Sequence, residues 1–221
     1  CDTHKYGYAL KGTSVCLFRN KALRASQYFL YPEWPGGFYT TATLAGSRSC
    51  GLIVQTWASM VTVGEQGYLN YTRSIMEVVK NIAKQITTKI PELCLIGGSK
   101  AMIICVASNT AHSVRGTLGP VNVHCVSDIM SKKGWALNSL QSPASVHLCC
   151  TVKHIGIENQ FVDDLRDSVD IVITTMQANA DKGFNPQLEG NAAMYGMASS
   201  FPAGPVKELL TTYNDNVLGK L

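Results

Sequence analysis

Charge is scarce in this sequence. Asp, Glu, Lys and Arg make up 15% of its 221 residues, and the formal balance is +4. No Lys- or Arg-rich run exists, so nucleic acid is not a natural partner. Low charge combined with 46% hydrophobic residues excludes a disordered chain. Long apolar runs are missing too. The best candidate, 101–107, has the length of a buried strand and falls far short of the ~20 residues of a membrane helix. No secretory signal opens the chain. The eight cysteines form no Cys-x-x-Cys pair and the five histidines no His-x-x-x-His pair, so no metal site is expected. The cysteines read as buried thiols of a reducing compartment. A Gly-x-Ser-x-Gly elbow and internal repeats are also absent. The first residue is Cys1, which points to processing or to a longer parent.

What is present stands at the front. Asp2-Thr3-His4-Lys5-Tyr6-Gly7-Tyr8-Ala9-Leu10-Lys11-Gly12 places two lysines six residues apart among aromatics and glycines, with a histidine directly before the first. A lysine among aromatic neighbours can lose solvation of its ammonium group, which lowers its pKa and makes it an amine nucleophile. The commoner state is a solvated loop lysine.

Residues 13–18 are expected to form a strand and 20–30 a short helix. The segment 31–39 holds Pro32, Pro35 and Gly36-Gly37 and reads as an aromatic-rich loop. A helix is expected over 51–63. A longer one over 68–88 carries Leu69, Thr72, Met76, Val79, Ala83 and Ile86 on one face, and Pro91 closes it. Strands are expected at 93–96, 102–106 and 146–152, with helices at 121–133 and 157–177. The spacing of Ile157, Phe161, Leu165 and Val169 marks the last of these. An exposed loop is expected over 178–189 and a short helix near 206–213. A small sheet covered by helices is an α+β arrangement.

The order His4-Lys5-Tyr6-Gly7-Tyr8 followed by Lys11-Gly12 resembles the cofactor-lysine signature of the sphingosine-1-phosphate lyases. These are pyridoxal-phosphate (PLP) enzymes related to the group II amino-acid decarboxylases. Gly36-Gly37-Phe38-Tyr39, Ala45-Gly46-Ser47-Arg48, Gly134-Trp135-Ala136-Leu137-Asn138 and Tyr195-Gly196-Met197-Ala198 resemble lyase sequence in the same order. The resemblance implies the α/β fold type I of PLP-dependent transferases. Residues 1–90 would be the C-terminal part of the large PLP domain, and 91–221 the small α+β domain. It also implies that Lys5 forms the imine with pyridoxal 5'-phosphate, while His4 and Thr3 lie near the cofactor phosphate. Gly46 and Ser47 would reach the PLP phosphate of the partner subunit in a homodimer. Lys11 would face the substrate phosphate, where a compact cation suits the ligand. The substrate is then a sphingoid base 1-phosphate, cleaved to a long-chain aldehyde and phosphoethanolamine. The implied location is the endoplasmic reticulum membrane, reached through an N-terminal anchor that is not in this sequence, with the catalytic domain facing the cytosol.

Two departures from the family pattern stand out. Leu10 occupies the place where the lyases usually carry proline, which frees the backbone just ahead of Lys11. Ser49-Cys50 replaces a Pro-Gly pair. The family's cofactor-gripping loop, ring-stacking histidine and pyridinium-pairing aspartate precede the lysine motif. This chain alone is therefore expected to be catalytically incomplete. The alternatives are a PLP-dependent amino-acid decarboxylase and a non-catalytic truncated interaction module.

Overall fold

The computed structural model describes residues 1–112, 114, 116–117, 119–180, 190, 192–193, 195 and 202–218. The chain divides into two compact units, Cys1–Asn70 and Tyr71–Leu221. The division falls twenty residues before the boundary expected from sequence, because the second half of the long helix belongs to the core of the second unit.

In the first unit, the strand expected over residues 13–18 does not form, and this segment pairs with no described strand. Val15 N–H donates only to Cys1 O, at 2.9 Å. The helix α1 is shorter than expected, Lys21–Ala25, and Asn20 caps it by accepting from Leu23 N–H. The aromatic loop is the tip of a hairpin that sequence periodicity does not reveal. Its strands are β1 (Phe29–Tyr31) and β2 (Tyr39–Thr41), paired antiparallel. Trp34 and Phe29 each meet Tyr39 edge-on, at centroid separations of 5.9 and 6.1 Å.

The two expected helices are one element, α2 (Cys50–Lys89), interrupted at Gly64. Gly64 has φ 65° and ψ 169°, a backbone region that residues with a Cβ avoid. Its interruption separates two apolar faces. Before it, Ile53, Val54, Trp57, Met60 and Val61 are exposed. After it, Ile75, Val78, Val79, Ile82, Ala83 and Ile86 are buried. Of the face expected from sequence, Val79, Ala83 and Ile86 are in the core, whereas Leu69 and Thr72 are exposed and Met76 is half-buried.

The second unit holds a four-stranded antiparallel sheet in the order β3-β4-β6-β5. Its strands are β3 (Leu93–Leu95), β4 (Ile103–Ser108), β5 (Asn138–Gln141) and β6 (Ala144–Cys149). The strand β5 went unforeseen because Asn-Ser-Leu-Gln has little strand character. Ile104 pairs with Leu148 and Val106 with Val146, and all four side chains are buried. The helix α3 (Val123–Lys132) packs on β6 and β4, and α4 (Glu158–Ala178) packs on α3. Asn122 caps α3 by accepting from the N–H groups of His124 and Cys125. Phe161, Leu165 and Val169 are buried as their spacing requires, while Ile157 caps α4 and is exposed. Trp135 Nε1 donates to Asp164 at 2.8 Å, and its ring meets Phe161 edge-on at 5.0 Å. The last described element, α5 (Ala203–Leu218), is longer than the expected turn of helix. Most of the expected 178–189 loop, and the motif residues Gly196, Met197 and Ala198, lie outside the described residues.

The expectation of buried thiols is corrected. Cys1, Cys16, Cys50, Cys94 and Cys149 are exposed, Cys105 and Cys125 half-buried, and only Cys150 is buried. Apolar neighbours in sequence do not bury a cysteine whose strand face is open or whose segment lies outside the sheet. Burial pushes the Cys150 thiol, and the half-buried Cys125 thiol, up to about 11. No disulfide joins described residues, and no group of described residues can hold a metal ion.

Candidate active site

The lysine stretch is a compact loop laid along the first part of α2. Its own backbone closes it: Lys5 N–H donates to Asp2 O at 3.2 Å, Tyr8 N–H to Lys5 O at 3.1 Å and Ala9 N–H to Thr3 O at 3.0 Å. Tyr8 is the only described non-glycine residue with positive φ, at 56°. Side chains from α2 reach the loop from outside. Tyr68 Oη donates to Gly7 O at 2.8 Å and Ser59 Oγ to Tyr8 O at 3.3 Å. Gln55 Oε1 accepts from Leu10 N–H at 2.8 Å, and Gln55 Nε2 donates to Ser59 Oγ at 3.0 Å. Leu52 lies against Gly12, whose φ of 125° and missing Cβ permit that approach. Leu52, Gln55, Thr56 and Ser59 are spaced i, i+3, i+4 and i+7, which is one helical face.

The candidate residues take distinct positions on this frame. Lys5 is not desolvated by its aromatic neighbours: its side chain is 66% exposed and its Nζ lies 3.1 Å from Asp2 Oδ2. The hydrogen bond from Lys5, then its charge, hold the Asp2 carboxyl below the ordinary carboxylate value. His4 is half-buried, with Nε2 4.0 Å from Asp2 Oδ2, and its buried Nδ1 has no hydrogen-bond partner among the described residues. Thr3 is buried, and its hydroxyl meets those of Thr13 at 3.2 Å and Thr56 at 3.5 Å. Thr13 and Thr56 are themselves 2.9 Å apart. The three hydroxyls form the floor of the loop, a cluster joined across 53 residues that sequence spacing does not disclose. Lys11 is exposed at the far end of the loop.

Gly46 and Ser47 stand on a separate turn. Thr41 Oγ1 and Thr43 Oγ1 both donate to Ala45 O, at 3.3 and 3.0 Å. A Cβ on Gly46 would lie 3.1 Å from Tyr39 Oη, so the absence of a side chain permits this approach. Ser47 is exposed. Arg48 lines a cavity of about 610 Å³ together with Thr13, Ser14, Thr43, Ser49 and Leu52. The structure thus brings both lysines onto one clamped loop and leaves the glycine–serine pair on a neighbouring turn.

No protein-family model matches the chain. Among curated proteins, the sphingosine-1-phosphate lyase of Dictyostelium discoideum is 44% identical over 201 residues, covering 91% of this chain and 34% of that protein. The Oryza sativa sphingosine-1-phosphate lyase is 42% identical over 215 residues, covering 97% and 36%. The chain is a homologue of the sphingosine-1-phosphate lyases. It spans about a third of the length of the curated relatives it matches. Among solved structures, this lyase homologue resembles the sphingosine-1-phosphate lyase of Burkholderia pseudomallei. The TM-score is 0.67 and the identity 33%, over 82% of this chain and 39% of that one. A glutamate decarboxylase of Lactobacillus brevis matches at TM-score 0.52 and 17% identity, over 67% of this chain and 34% of that one, and this likeness shows the fold alone. The fold is accordingly part of fold type I of the PLP-dependent enzymes. No helix among the described residues is long and apolar enough to cross a membrane.

Proposed function

We propose that this lyase homologue is the C-terminal part of a PLP-dependent carbon–carbon lyase. The whole protein cleaves sphingoid base 1-phosphates to a long-chain aldehyde and phosphoethanolamine. The observation that carries this reading is the single clamped loop that presents Lys5 and Lys11, both exposed, from one rigid backbone. An amino-acid decarboxylase has no substrate phosphate to bind and no use for Lys11. Residues 1–90 then belong to the large domain and 91–221 to the small one. The protein is a homodimer of the endoplasmic reticulum membrane with its catalytic part facing the cytosol.

The residues present fit PLP. Lys5 is exposed, so an aldehyde can reach its amine once that amine leaves its ion pair with Asp2. The unpartnered Nδ1 of His4, directly before it, suits a phosphate oxygen. Bound PLP supplies an electron sink for bond breaking at the substrate's Cα. Thr3 lies beside the cofactor phosphate, and its buried hydroxyl steadies His4 and Lys5 through Thr13 and Thr56. Lys11 neutralises the substrate phosphate as a compact cation. Gly46 and Ser47 offer backbone N–H groups and a hydroxyl to the cofactor phosphate of a second copy.

The test uses the native polypeptide that carries these residues, loaded with PLP. Lys5→Ala abolishes the absorbance of lysine-bound cofactor and the release of aldehyde; retained turnover overturns the assignment. Lys11→Ala keeps the cofactor absorbance and raises KM for the phosphorylated base about tenfold or more, the scale of one charged hydrogen bond. Equal losses of cofactor and substrate binding would make Lys11 structural.

A further inference from the structure

Proline at position 10 would fix the backbone ahead of Lys11 and would carry no N–H. This chain has Leu10 there, and Leu10 N–H donates to Gln55 Oε1 at 2.8 Å. The hydrogen bond exists only because the ring is absent. Gln55 does not act alone. Its amide nitrogen donates to Ser59 Oγ, whose hydroxyl donates to Tyr8 O, so one side chain ties two points of the loop. Tyr68 Oη holds a third point, Gly7 O. The three points bracket Tyr8, whose φ of 56° costs a residue with a Cβ about 1–2 kcal/mol and persists only where its surroundings hold it. They also lie between the two lysines. Whatever fixes Gly7, Tyr8 and Leu10 fixes where Lys11 stands relative to Lys5.

We propose that Gln55, supported by Ser59 and Tyr68, is the positioning residue that sets Lys11 against Lys5. The separation of the two amines is then a ruler for the substrate: an amine at one end and a phosphate at the other. The proposal rests on the reading of Lys5 and Lys11 given above. Beyond that reading, α2 and not the loop's own sequence sets the register between the cofactor and phosphate ends.

A double-mutant cycle tests it in the PLP-loaded native polypeptide, with a sphingoid base 1-phosphate as substrate. Gln55→Ala raises KM about tenfold, the scale of the one or two hydrogen bonds lost, while kcat falls less than about threefold and the cofactor absorbance stays. Gln55→Glu keeps the acceptor for Leu10 and stays nearer the parent. In a Leu10→Pro background, Gln55→Ala has a smaller effect, because only its bond to Ser59 is left to remove. Equal effects of Gln55→Ala in both backgrounds overturn the proposal, as does an unchanged KM. Amide hydrogen exchange at Leu10 in this chain gives a second measurement independent of turnover. Gln55→Ala accelerates it about fivefold or more, and an unchanged rate overturns the clamp. Failure of the functional reading shows separately, as turnover that survives Lys5→Ala.

Discussion

Ile82→Ala tests the core of the second unit most directly. Ile82 is fully buried on α2, flanked on the same face by Val79 and Ile86, which are also fully buried. The substitution removes three carbons, worth about 2.4 kcal/mol at ~0.8 kcal/mol per buried methylene. The surrounding side chains close the hole only in part. A residual void of about 50 Å³ at ~24 cal/mol per Å³ adds about 1.2 kcal/mol. The expected loss is about 3–4 kcal/mol, a large fraction of the ~5–15 kcal/mol that a folded domain has in total. Urea unfolding followed by far-ultraviolet circular dichroism reads it. With a slope of about 2 kcal/mol per molar, the midpoint falls by about 1.5–2 M at constant slope. Lys80→Ala, on the exposed face of the same helix, moves the midpoint by less than about 0.3 M. A loss below about 1 kcal/mol at Ile82, or equal losses at the two positions, would refute the placement of the buried face.

Gly64→Ala meets no atom within 4 Å yet forces a side chain onto a φ of 65° and ψ of 169°. It lowers stability by about 1–3 kcal/mol in the same denaturation assay, and an unchanged midpoint would show that the interruption relaxes freely. His124 is buried, stacked on Tyr195 at 5.6 Å, and burial pushes its pKa below 6.5 despite the nearby Asp128. The unfolded chain therefore takes up the proton first. The stability contributed by neutral His124 is complete above about pH 6.5 and declines as pH falls toward the lower folded value. His124→Phe flattens that part of the stability–pH curve; an unchanged slope between about pH 5 and 7 would refute the assignment.

The lysine loop stands out in the sequence because His4, Lys5 and Lys11 lie within eight residues. The residues that hold the loop were not legible. Thr56, Gln55 and Tyr68 are ordinary residues on a helix, and their hydrogen bonds span 43 to 61 residues of sequence. Leu10 could be recognised as a departure, but the partner for its freed N–H could not. The helices were found from their period. Thr72, Val79 and Ile86 are seven apart and share one face of α2, but the early turns of that face, Leu69 and Thr72, are left uncovered. The buried part of the face begins at Ile75, within the second unit. The short strands β1, β2 and β5 lack the length that makes alternation visible, and pairing defines them instead.

The order β3-β4-β6-β5 places the two longest strands in the middle and the two shortest outside. Among the described residues, each outer strand leaves one row of backbone groups unpaired, only three residues long at β3 and four at β5. A foreign strand needs more length than that to add itself in register. The six-residue strands β4 and β6, which would make better templates, are paired on both sides. The sheet is thereby protected from growing into a neighbour by the shortness of its margins, without any charge placed there for the purpose.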